Sequence, residues 1–213
     1  YRTGVDNPEL KNRIADFLRY ENQHCRTAIV SCPDEMDANY LVQCALRDTP
    51  PSDVVRPNDP RWMVHSTDIN AWQGIEAAGH VKSLASLQRD GHEISSLGAD
   101  ELGEPSEYAD RVALGRLEEV SSEYVVSSRQ KGVIVTDPDL PYQPGVRLYF
   151  DNHKIIKEGL AVRDGVHVTK VHQLLPLAGY LATTVSVAEF PHQIWSPNSF
   201  WTAANDLFFR KIG

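Results

Sequence analysis

Arg61-Trp62-Met63-Val64-His65-Ser66-Thr67 is the stretch on which the reading of this 213-residue chain turns. The apolar run Trp62 to Val64 predicts a short buried strand that ends in a polar triplet. Ile69, Trp72 and Ile75 follow at helical spacing, with Asp68 placed to cap the helix and Gly79 placed to end it. A polar triplet at a strand end is a common place for a small-molecule site.

Working outward, residues 48–60 hold four prolines in thirteen positions and read as a linker. They divide an N-terminal segment, 1–47, from a main domain over 61–213 that includes a C-terminal extension. In the first segment, Leu10, Ile14, Phe17 and Leu18 predict a helix over 8–20. Ala28-Ile29-Val30 predicts a strand. Asp34 is placed to cap a helix running to Leu46, with Met36, Tyr40, Leu41 and Cys44 on one face.

In the main domain, residues 82–118 predict short helices and loops. Strands are expected over Glu123–Ser128, Gly132–Thr136, Val146–Phe150, Val166–Val171 and Tyr180–Val187. A helical turn is expected from Asn152, stopped by Gly159. An amphipathic helix over Pro197–Phe209 buries Phe200, Ala203, Ala204, Leu207 and Phe208. The sum is an α+β fold with a largely antiparallel sheet and flanking helices.

Bulk composition narrows the function. A net charge of −8 argues against a broad basic nucleic-acid surface. A local basic groove is compatible with it, because patches matter more than totals. No apolar run is long enough to span a bilayer and no signal peptide is visible, so a cytoplasmic protein off the membrane is expected. The three cysteines, Cys25, Cys32 and Cys44, lack both disulfide and zinc spacing; reduced thiols and no metal are expected.

Two motifs carry the chemistry. His65 at a strand end can donate to a ribose hydroxyl, with Ser66 and Thr67 beside it. Glu123 opens the stretch Glu123-Tyr124-Val125-Val126. Taken together, His65-Ser66-Thr67 with its following helix resembles the histidine motif of the ADP-ribosyltransferase superfamily. Glu123-Tyr124-Val125-Val126 resembles that superfamily's glutamate motif, and the order along the chain is the same. The resemblance covers residues 61–135 and departs from the family at Ser66, where a glycine is usual.

The resemblance implies an ADP-ribosyltransferase-like sheet and NAD as substrate. His65 would hold the nicotinamide-side ribose, with Ser66 or Thr67 at the nicotinamide end. Glu123 would stabilise the oxocarbenium-like centre as nicotinamide leaves. Tyr108 is the candidate for the aromatic that stacks on nicotinamide in many members. The RNA 2′-phosphotransferase branch of the same superfamily also uses NAD, with arginines facing a phosphate; Arg147 and Arg163 are the candidates.

Arg147 and Arg163 each sit near a glycine turn, where a guanidinium fork can clamp a phosphate or carboxylate. Alternation places Tyr149 beside Arg147, and His167 follows Arg163, which completes the expected substrate-binding set. The acceptor is left open: protein, small molecule or nucleic acid, RNA and tRNA included. Two other classes stand beside the transferase. One is a tRNA-dependent peptide-bond former such as an arginine-containing cyclodipeptide synthase, suggested by size alone. The other is a ligand-binding module on the same fold without turnover.

Overall fold

The computed structural model describes residues 9–31, 37–94, 106–165 and 169–213. His167 and Asp34, both singled out above, lie outside the described residues. The fold is α+β, with a mostly antiparallel sheet and flanking helices.

The centre is a six-stranded sheet in the order β5-β6-β3-β1-β4-β8. Its members are β1 (Trp62–Thr67), β3 (Arg111–Arg116), β4 (Val146–Asp151), β5 (Ala161–Val162), β6 (Thr169–His172) and β8 (Leu181–Ser186). All its described pairings are antiparallel. A separate two-stranded ribbon joins β2 (His80–Lys82) to β7 (Leu174–Pro176).

Seven α-helices flank these strands among the described residues. They are α1 (Leu10–Gln23), α2 (Ala38–Asp48), α3 (Ile69–Ala78), α4 (Leu84–Arg89), α5 (Ser121–Lys131), α6 (Asn152–Lys157) and α7 (Pro197–Ile212).

Alternation along the central strands builds two cores. Met63, Val146, Leu148 and Phe150 pack on one face with Ile155 and Ile156 of α6. Val64 and Tyr149 pack on the other with Val126 of α5 and Phe200, Ala204 and Phe208 of α7. Helices α1 and α2 share a third core through Leu10, Ile14, Leu41 and Ala45. Strand β4 is therefore covered on both faces. Arg147 and Tyr149 do share a face, as alternation predicts, but that face is buried too.

The β1–α3 unit forms as its residues predict. The Asp68 carboxylate accepts from the Asn70 and Ala71 N–H groups, and Gly79 closes the helix at φ 74°. Helix α7 opens with a reciprocal Ser196–Ser199 cap and Pro197 in its first turn.

Four expectations need correction. Ala28-Ile29-Val30 forms no strand, and Ile29 is largely solvent-exposed. Glu123–Ser128 is not a strand but lies within α5, which buries Glu123, Val126 and Ser127 at i, i+3 and i+4. That face outweighs the β-propensity of Tyr124 and Val125. Gly132, at φ 69°, ends the helix, and residues 133–136 follow as coil with Val133 and Ile134 exposed. Finally, β3 occupies part of the region read as short helices and loops, with only Val112 and Leu114 in alternation to announce it.

The proline-rich stretch 48–60 is held near its C-terminal end by two charge pairs. Arg56 donates two bonds to the Asp16 carboxylate of α1, at 2.6 and 2.8 Å. Arg163 donates two bonds to Asp59, both at 2.8 Å.

One close approach fixes where the loop before β4 meets the end of β1. A Cβ on Gly145 would lie 2.2 Å from the Thr67 carbonyl oxygen and 2.6 Å from Asp68 Cα. Gly145→Ala is expected to cost about 2–3 kcal/mol in urea unfolding, because backbone must move to admit it. Gly74→Ala is the counterpart. A Cβ on Gly74 meets nothing within 4 Å, so helix propensity alone should stabilise α3 by about 0.5–1 kcal/mol.

Candidate functional site

Glu123 and Arg147 form an ion pair sealed between the sheet and α5, with side chains 1 % and 0 % exposed. Arg147 Nη1 donates to Glu123 Oε1 at 2.8 Å and to Ser122 Oγ at 2.8 Å. The Tyr142 hydroxyl donates to Glu123 Oε2 at 2.7 Å, and the Ser66 hydroxyl donates to Oε1. Burial, then the negative charge of Glu123, pushes the Tyr142 hydroxyl pKa far up, so it stays a donor.

Both carboxylate oxygens are thus engaged by groups from β1, β4 and the loop carrying Tyr142. Such an arrangement ties elements together; it leaves Glu123 no exposed surface with which to meet a ligand. Tyr149 is equally enclosed, stacked on Phe208 at 4.1 Å with its hydroxyl donating to Asn205.

His65 lies elsewhere. Alternation along β1 turns Ser66 toward Glu123 and His65 toward the opposite face. Strands β1 and β3 pair only at Met63–Arg116 and Val64–Gly115, after which β3 continues on β6 through residues 111–114. His65 therefore sits where the two strands part. Its Nδ1 lies 3.4 Å from the Ala113 carbonyl oxygen, across the gap. The ring is half-buried, and loss of solvent holds its pKa down to about 4, with a smaller push from the positive charge of Arg129. The imidazole is neutral at physiological pH.

Arg129 comes from the last two turns of α5. It forms no ion pair or hydrogen bond with a side chain among the described residues; loss of solvent lowers its pKa, and the charge of Asp68 partly opposes that. A cavity of about 350 Å³ opens beside it, lined by Thr67, Asp68, Asn70, Arg129, Gln130 and Gln143 among others. The volume falls within the range of small-molecule sites. The cavity presents a guanidinium and a set of amide and hydroxyl groups at the carboxyl end of β1, with the neutral His65 imidazole nearby but outside its lining.

The structure thus joins some of the expected residues and separates others. Thr67 lines the cavity at the end of β1; His65, two residues earlier on the same strand, does not. Ser66, Glu123, Arg147 and Tyr149 belong to the sealed face. Arg163 is clamped to Asp59 and to the Ser52 carbonyl. Tyr108 stands in a further buried cluster, its hydroxyl donating to Asp164 at 2.5 Å and its ring beneath the Lys170 ammonium at 3.0 Å. It is not beside Glu123.

A second cavity, about 410 Å³, lies between α1 and β3. Arg13, Arg56, Arg116 and Arg163 line it together with Glu9, Asp16, Asp59 and Glu119, so its charges balance. Among the described residues there is no cluster of three or more potential metal ligands. No helix among them is long and apolar enough to cross a membrane.

Arg129 is the residue that the sequence reading passed over. With 123–128 taken as a strand it falls in a hairpin turn. Taken as the end of a helix, it becomes a cation in the last turn, poised over the end of β1. Comparison with protein-family models, curated proteins and solved structures returns no match for this chain.

Glu123→Gln should lower stability by about 3–5 kcal/mol, since it leaves Arg147 buried without a counter-charge; chemical denaturation reads this directly. His65 sets a separate pH dependence. Its folded pKa of about 4 lies below the ordinary 6.5, so between these values the unfolded chain binds a proton that the folded chain does not. Stability should fall as pH drops from about 6.5 toward 4 and be flat above, and His65→Gln should remove that component of the slope.

Proposed function

We propose that this chain is an NAD-consuming transferase of the ADP-ribosyltransferase kind, with its reacting centre at His65 and Arg129 and an anionic group as acceptor. The observation that carries the reading is a cavity of about 350 Å³ at the end of β1, lined by Thr67 and Arg129, with the neutral His65 two residues before Thr67 and within reach of the Arg129 charge. The likeness of His65-Ser66-Thr67 and its helix to the histidine motif of that superfamily supports it.

The chemistry follows from the groups available. A neutral imidazole whose Nδ1–H faces the Ala113 carbonyl can accept from a ribose hydroxyl at Nε2 and fix the sugar. Thr67 and Asn70 offer neutral donors and acceptors to an amide. Arg129 can hold a phosphate or carboxylate acceptor through its fork. An acceptor oxygen then forms a bond to the anomeric carbon of the ribose. The carbon–nitrogen bond to nicotinamide breaks, and its electron pair returns to the ring nitrogen, which loses its positive charge.

Glu123 takes no part in this step in our reading. The negative charge that offsets the oxocarbenium-like centre comes from the acceptor itself, steered in by Arg129. The same engagement of Glu123 favours a second reading, a ligand-binding module that holds a nucleotide without turning it over.

Nicotinamide release from NAD, with phosphorylated small molecules and oligonucleotides as acceptors, decides between these. Release should fall by about a hundredfold or more in His65→Ala and in Arg129→Ala. The folded fraction of Glu123→Gln should retain it. Thermal stabilisation by NAD without release would establish the binding module instead. Neither binding nor release with any acceptor would end the NAD reading.

A further inference from the structure

The cavity at Arg129 does not end there. It shares Gln130 and Gln143 with a neighbouring cavity of about 500 Å³ that also touches Lys131 and Tyr142. That one shares Tyr142 and Gln143 with a third, about 420 Å³, whose walls include Phe190, His192 and Trp195. Through these shared residues the three lie side by side, a trough of adjoining cavities from the end of β1 to the loop before α7.

The floor of the trough is fixed. Gln130 Nε2 donates to the Gln143 carbonyl at 2.5 Å, and the Gln143 N–H donates to Gln130 Oε1 at 3.0 Å. The Tyr142 N–H donates to the Trp195 carbonyl at 3.0 Å, and its hydroxyl is bound by Glu123. Phe190 packs edge-on against Trp195 at 5.5 Å, so the far wall is an aromatic cluster.

Charge says what fits. The chain carries a net charge of −8, yet among the described residues no carboxylate lines the cavities of about 500 and 420 Å³. The single carboxylate on the first is Asp68, which caps α3. Arg129 and Lys131 border the trough, and Phe190 and the exposed ring of His192 lie at its far end. Cations tracking a backbone, followed by rings on which bases stack, are the requirements of a single-stranded nucleic acid.

We infer that the trough from Arg129 through Gln130 and Gln143 to His192 seats a single-stranded nucleic acid, which would be the anionic acceptor of the transfer. The inference rests on the transferase reading above for the acceptor role, but not for binding, which is measured without NAD.

The test uses the full chain and a fluorescently labelled single-stranded RNA of about twelve nucleotides, followed by anisotropy at several salt concentrations. Saturable binding that weakens with salt is expected. Lys131→Glu and His192→Ala, both exposed positions, should each weaken it by about fivefold or more, and Lys131→Glu should also flatten the salt dependence. A polyglutamate peptide should not displace the RNA. No saturable binding at low salt, unchanged affinity in both variants, or displacement by polyglutamate would overturn the inference.

The two readings fail separately. If wild type releases nicotinamide to a small phosphorylated acceptor but binds no RNA, the trough inference falls alone. If wild type binds RNA through these residues but releases no nicotinamide, the NAD reading falls alone.

Discussion

The buried pair of Glu123 and Arg147 is the constraint from which the rest of the molecule follows. Two charges removed from water are costly unless each is met by opposite charge and by hydrogen bonds. Here the partners come from four places in the chain: Ser66 on β1, Ser122 on α5, Tyr142 in the loop before β4 and Arg147 on β4 itself. Only one docking of α5 on the sheet satisfies them together. A hydrophobic contact of the same area would tolerate sliding or rotation by a fraction of a turn; this one does not. Arg147 Nε remains without a partner in that cluster, which suits a role in specifying the arrangement more than in adding stability.

The docking of α5 in turn shapes the cleft. Arg129 lies six residues beyond Glu123, about 9 Å along the helix axis, and so projects near the end of β1 rather than over its middle. There β1 and β3 have already separated after two pairs. A parted sheet leaves backbone and side chains facing a gap that the next strand would otherwise close, and a half-buried His65 occupies its edge. The low pKa of that imidazole is a consequence of the same crowding, reinforced by the guanidinium that α5 brings near. Site and scaffold are thus joined through one helix.

How much of this was legible in the sequence depends on which signals the chain writes locally. The β1–α3 unit was readable because each part carries its own marker: an apolar run, an aspartate cap, a helical stripe and a terminal glycine. Helix α7 was readable for the same reasons. Helix α5 was not. It begins at Ser121, with Val120 at the N-cap and no side-chain cap, and the residues it buries include Glu123 and Ser127, which no apolar periodicity reports. Tyr124, Val125 and Val126 then supply the composition of a strand. Glu123 stood out correctly as unusual, but its meaning depends on Arg147, which lies 24 positions later and on another element. Strand β3 escaped notice because its alternation is confined to Val112 and Leu114.

The same long-range pairing reassigns the arginines. Arg147 and Arg163 were attractive as anion clamps because each sits near a glycine turn, yet a guanidinium clamps whatever carboxylate the fold brings to it. Glu123 and Asp59 arrive first, and both forks are closed by protein. Arg129 is set apart by geometry: its helix presents it beyond the last residue that the sheet can partner, and the nearby Asp68 already accepts from the first N–H groups of α3. A cation held near a cap rather than in a salt bridge keeps its donors for an incoming anion. That difference, between charges that complete the fold and a charge the fold leaves facing a cavity, is what moves the centre of the site from Glu123 to Arg129.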